Sequence, residues 1–116
     1  MIKLKRIYEK PEPTDGKRIL VDRLWPRGLS KEDANVDEWL KEIAPPNALR
    51  QWYAHKVERW PEFRRKYRGE LRKPGQLEFL TRLRQEGKRG TITLLHAARD
   101  SEHSNASVLK ELLERG

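Results

Sequence analysis

Cysteine is absent from the 116 residues, which excludes disulfide frameworks, thiolate metal sites, Cys-X-X-Cys redox chemistry and cysteine nucleophiles. Long apolar runs are absent too. The longest, around residues 92–98, is far too short to span a bilayer, and the N-terminal MIKLKRIYEK lacks the apolar core of a signal peptide. A soluble, cytoplasmic protein with no membrane partner is therefore expected. There is no glycine-rich phosphate loop, no nucleophile elbow and no HExxH, so no cofactor is expected. His96, Asp100 and His103 could ligate a metal, but their spacing fits no standard site and no metal is assigned. Repeats and low-complexity tracts are also missing, and methionine occurs once.

What is present is charge. Charged residues make up 38% of the chain and apolar ones 35%, with a mean hydropathy of −0.99, so the core must be thin. Nine aromatic residues recur along the sequence, which argues for a folded chain. The length suits one domain over residues 1–116. Lys and Arg number 26 against 18 Asp and Glu, a net charge of +8 that raises a polyanion such as nucleotide or nucleic acid as partner.

That charge is uneven. Residues 1–58 are near balance at +2 and residues 91–116 stand at −1, whereas residues 59–90 carry +7. In this basic third, Trp60, Phe63, Tyr67 and Leu71 recur at helical spacing, as do Leu77, Leu80 and Leu83 after Pro74-Gly75, predicting two helices with apolar and basic faces. Arg64, Arg68 and Arg72 lie four apart on one ridge. Two readings compete for it: a solvated face paired with Glu58, Glu62 or Glu70, and a track for a nucleic-acid backbone.

Elsewhere, residues 2–8 alternate apolar and basic side chains as a strand with one wet face would. Ile19, Leu20 and Val21 form the continuous apolar run of an interior strand, and residues 91–95 form another. Ser30 and Asp33 can cap a short helix. The spacing of Val36, Trp39, Leu40 and Ile43 predicts a second helix, with Asn35 and Glu38 as its capping pair; Leu49, Trp52 and Tyr53 predict a third. Val108, Leu109, Leu112 and Leu113 mark a closing helix. Buried strands separated by helical stretches imply an α/β fold: a small, mostly parallel sheet flanked by helices in a three-layer-like domain.

Two polar clusters stand where the buried strands end. Residues 22–28 hold Asp22, Arg23, Trp25 and Arg27; residues 96–105 hold His96, Arg99, Asp100, His103, Ser104 and Asn105. Loops at the carboxyl ends of parallel strands form the ligand crevice of open sheets, so the clusters converge if the strands are neighbours. Arg23, Arg27 and Arg99 would supply forked donors for an anion, with Trp25, Asp100 and His103 beside them. In a catalytic version Asp22 or His96 acts as base and Arg99 as electrostatic clamp. In an architectural version Asp22 and Arg23 pair with Arg99 and Asp100, His96 is a core residue, and Ser104 or Asn105 is a helix cap. The leading expectation is an anion-binding domain for nucleotide or nucleic-acid phosphate. The alternatives are hydrolysis or group transfer on a phosphorylated or nucleoside-like substrate, and a protein-interaction module.

VDRLWPRGLSKEDA, EWLKEIAP, ERWPEFRRKYRGEL and TLLHAARDSEHSNASVLKELL together resemble the bacterial YeaO-like proteins, small cytosolic domains whose biochemical function is not established. The resemblance covers nearly the whole chain. It implies an α/β domain with a strand-Asp-Arg element and a strand-to-helix connection that in the wider superfamily often holds Cys-His-Arg. This sequence has no Cys there, so no thiol-based role carries over. The resemblance also implies an extended segment over residues 38–44, where spacing predicts helix; helix is the expectation kept.

Overall fold

The computed structural model describes residues 1–115. Its four strands, β1 (Ile2–Arg6), β2 (Lys17–Leu20), β3 (Glu38–Trp39) and β4 (Ile92–His96), form one sheet in the order β1-β4-β2-β3, and every pairing is parallel. Five helices accompany it: α1 (Lys31–Ala34), α2 (Asn47–Tyr53), α3 (Trp60–Leu71), α4 (Pro74–Arg89) and α5 (Asn105–Arg115). This is the expected α/β fold.

The two apolar runs form the central pair, with Ile19 opposite Leu94 and Leu20 opposite Leu95, all four fully buried. A parallel strand covered on both faces needs apolar side chains in both directions. Ile19, Val21, Ile92 and Leu94 face Phe63, Tyr67, Leu83 and Leu109, on α3, α4 and α5. Leu20 and Leu95 face the other way, onto Ile7, Ala34, Trp25 and Trp39. That second layer is thin: α1 is one turn, capped as expected by Ser30 Oγ accepting from the Asp33 N–H at 3.1 Å, and the rest is loop. Phe63, Tyr67 and Leu71 bury the apolar stripe of α3, and Leu80 and Leu83 that of α4, but Leu77 is 46% exposed.

Edge strand β1 departs from the wet-faced strand expected. Ile2 and Leu4 pack on the helical layer, while Lys3 and Lys5 reach under a loop that ends in a 3-10 turn at Pro13–Asp15. Lys3 Nζ donates to Thr14 O at 3.0 Å, and Lys5 Nζ meets Glu12 at 2.8 Å and Asp15 at 3.1 Å. Buried Asp15 also accepts from Arg18 at 2.5 Å. Burial opposes the charge on Asp15, but donation from the Glu12 N–H, Lys5 and Arg18 outweighs it and holds the carboxyl below its usual range.

Residues 36–43 are not the helix that spacing predicts. Glu38 and Trp39 form β3 against Ile19 and Leu20, and a 3-10 turn follows at Lys41–Ile43. A helix would set Val36, Trp39, Leu40 and Ile43 on one stripe. Instead, Val36 and Trp39 pack on one side of the sheet and Leu40 and Ile43 on the other. Asn35 starts no helix; it is the C-cap of α1, in the left-handed conformation (φ 48°) with its N–H donating to Lys31 O, and Glu38 bonds Arg82 rather than a helix start.

Candidate functional site

Neighbouring strands β2 and β4 send the chain to opposite faces of the sheet. After β2 it runs to α1 on the thin layer; after β4 it runs to α5 among the long helices. Such a divergence opens a crevice at the carboxyl ends of the two strands. A cavity of about 830 Å³ lies there, walled by both strand-exit segments and by α2 with the residues after it. The two clusters thus face one space, although no ion pair joins Asp22 or Arg23 to Arg99 or Asp100 among the described residues.

Backbone groups staple the exits together instead. The Ala97 N–H donates to Asp22 Oδ2 at 2.9 Å, and Asn105 Nδ2 donates to Val21 O at 2.9 Å. Ser104, not Asn105, caps α5, its Oγ accepting from the Ser107 N–H at 3.2 Å. Burial raises the Asp22 carboxyl above its usual range; hydrogen bonds from Ala97 and Asn105 and the fields of His55 and Arg50 only partly offset this. Below Asp22, fully buried Tyr67 donates to Ile43 O at 2.6 Å, and burial holds its hydroxyl well above the ordinary tyrosine range.

Arg23 reaches across to the segment before α2, donating to Pro45 O at 3.0 Å and Ala44 O at 3.1 Å. Trp25 lies edge-on to Trp39 at 5.5 Å and donates its indole N–H to Leu29 O, which shapes the loop. Arg27 and Arg99 line the cavity mouth, exposed, and neither guanidinium has an ion-pair or hydrogen-bond partner among the described residues. Asp100 also lines it, but its carboxylate is engaged by His103 Nδ1 at 2.6 Å, a contact that keeps the carboxyl below its usual range.

Two candidates lie outside the cavity wall. His103 packs its ring on Trp60 at 5.2 Å, and its carbonyl accepts from Tyr53 Oη. His96 is fully buried, with neither ring nitrogen bonded to a protein group; burial, reinforced by Arg6, lowers its pKa to about 4. Nor does the basic ridge approach the crevice: Arg64 forms a two-pronged ion pair with Glu111 of α5, and Arg68 lies 3.9 Å from the same carboxylate.

Sequence reasoning missed the third wall. Arg50 lines the cavity with a buried Nε that has no hydrogen-bond partner, and Tyr53 and His55 stand beside it. Ala54 and His55 both hold positive φ, 46° and 56°, a conformation costing L residues about 1–2 kcal/mol each and concentrated at functional sites. The spacing of Arg50 and Tyr53 on one helix was the available signal, but nothing local told which strand end α2 would cover.

A family model described as "Inactive DUF488-N3 subclade" matches residues 1–116. Uncharacterised protein YeaO of Escherichia coli (strain K12) is 42% identical over 112 residues, 97% of this chain and 96% of its own. An uncharacterised protein of Mycobacterium tuberculosis (strain ATCC 25618 / H37Rv) is 41% identical over 112 residues, 97% of this chain and 92% of its own. No solved structure matches the chain significantly. With a family model matched from end to end and YeaO similar over nearly the full length of both chains, the protein belongs to the DUF488-N3i family and is a YeaO-like domain.

Proposed function

We propose that the crevice binds a phosphate-bearing ligand of nucleotide size without turning it over. The observation that carries this reading is the charge inventory of the cavity. Arg23, Arg27, Arg50 and Arg99 surround it, against two carboxylates: Asp22, which accepts the Ala97 N–H, and Asp100, already held by His103. Guanidinium forks suit phosphate oxygens. A volume of about 830 Å³ falls in the range of small-molecule sites, and Trp25, Tyr8 and Phe63 give the wall an apolar share that a sugar or base would cover. The description of the family as an inactive subclade favours binding over turnover. So does the burial of His96, which leaves Asp22 as the one expected base on the cavity wall.

Calorimetric titration with adenosine monophosphate, adenosine and inorganic phosphate tests the reading. Expected is salt-sensitive binding of the phosphorylated compounds, weakened about tenfold by Arg99→Ala or Arg50→Ala. Asp22→Asn removes a negative charge and should tighten binding several-fold while the protein stays folded. Absence of affinity for either phosphate compound at low salt would sink the proposal.

A further inference from the structure

A second basic surface lies away from the crevice, along the seam between α3 and α5. Arg64 and Arg68 on α3 and Arg72 at its C-cap follow one another at one-turn spacing, and Arg115 joins them from α5. Three of the four, Arg64, Arg68 and Arg115, converge on a single carboxylate. Glu111 takes both prongs of Arg64, lies 3.0 Å from Arg115 Nη2 and 3.9 Å from Arg68 Nη1. Arg72 has no ion-pair partner among the described residues, and the buried Nε of Arg68 has no hydrogen-bond partner. Of the acids expected to neutralise the ridge, Glu62 is used by Arg65 and Lys66 and Glu70 by Lys73, and Glu58 forms no ion pair among the described residues. Crowding shows in Arg68, which burial and then the neighbouring Arg115 and Arg64 push below the usual arginine range.

We infer that this seam docks the phosphate backbone of duplex nucleic acid, independently of sequence. An excess of guanidinium groups repeating at roughly 6 Å along a helix carries a mutual repulsion that a bound polyanion would relieve. The large exposed apolar residues are Met1, Tyr8, Leu24, Val57 and Leu77, none of them on the seam. Protein interfaces bury an apolar core and membrane-surface helices insert apolar side chains, so this purely ionic face fits neither. Single-strand binders offer aromatic platforms for unstacked bases, whereas Phe63 and Tyr67 of α3 are buried against each other in the core. A duplex presents phosphates alone and needs no platform.

Fluorescence anisotropy with a short labelled DNA duplex of arbitrary sequence, titrated across salt, is the test. Expected is binding at low salt with a steep log–log salt slope. Arg72→Ala and Arg115→Ala, both at exposed positions, should each weaken it several-fold and reduce the slope by about one. Glu111→Gln removes the shared carboxylate and should tighten binding. Arg99→Ala should leave duplex affinity unchanged, which separates this face from the crevice. Any of three results overturns the inference: no duplex binding at low salt, a salt slope indifferent to both arginine variants, or displacement of the duplex as readily by polyglutamate or by single-stranded DNA as by unlabelled duplex.

Discussion

His96 is held neutral by its surroundings: its ring is fully buried at the end of β4, Arg6 lies nearby, and its pKa falls from 6.5 to about 4. An unfolded histidine accepts a proton near pH 6.5, whereas the folded one refuses it until about pH 4. Stability is therefore complete above pH 6.5 and declines as pH falls through that window, by up to about 3 kcal/mol at its acid end. Urea unfolding of the wild type and of His96→Leu at a series of pH values checks this. The wild type should lose stability between pH 6.5 and 4, and the variant should lose clearly less there; parallel curves would assign the acid sensitivity to other groups. At this scale the sequence was most informative about Asp22, Arg23, Trp25, Arg27, Arg99 and Asp100, because each follows an apolar run and a strand's end is a cavity's rim. It said least about His96 and His103, since the last residue of a strand and the last of a 3-10 turn can point to either side of a wall without any change in pattern.

Elements were legible where one side-chain period dominates and ambiguous where two fit. The central strands and α3 follow from uninterrupted apolar runs or helical stripes. Residues 36–43 satisfied a helical spacing by coincidence, because a two-residue strand followed by a 3-10 turn distributes four apolar side chains over both faces of the sheet. The backbone bonds from the Asp37 N–H to Arg18 O and from the Leu40 N–H to Leu20 O decided the matter, and such long-range pairing is invisible in a local window. Gly16 is the corresponding fixed point at the entry to β2. It holds φ +62°, and a Cβ there would lie 2.1 Å from Thr91 O, next to the bond from the Lys17 N–H to the same carbonyl. Gly16→Ala should cost roughly 2–4 kcal/mol, read by chemical denaturation. A loss below about 0.5 kcal/mol would mean that the turn relaxes freely and does not set the register of β2 against β4.

For the molecule as a whole, the net charge of +8 divides into two surfaces of different character. The α3–α5 seam concentrates arginine around one carboxylate, while the crevice mixes arginines with two acids in segments close to neutrality. In the proposed functions, long-range attraction would belong to the first and discrimination among small anions to the second, since steering follows the field of the whole protein and selectivity follows fixed donors. The parallel topology places the crevice: β4 inserts between β1 and β2, and the chain leaves β2 and β4 on opposite faces. Arg50 and His55 enter it only because the connection from β3 to α3 folds over that end of the sheet, which no local sequence pattern encodes. The most direct measurement is an amide NMR titration of the isotopically labelled protein with adenosine monophosphate. Expected are saturable shifts at residues 22–27, 50–55 and 97–105 together, with the amides of α3 unmoved. Shifts confined to α3 and α5, or no saturable shifts anywhere, would contradict binding in the crevice.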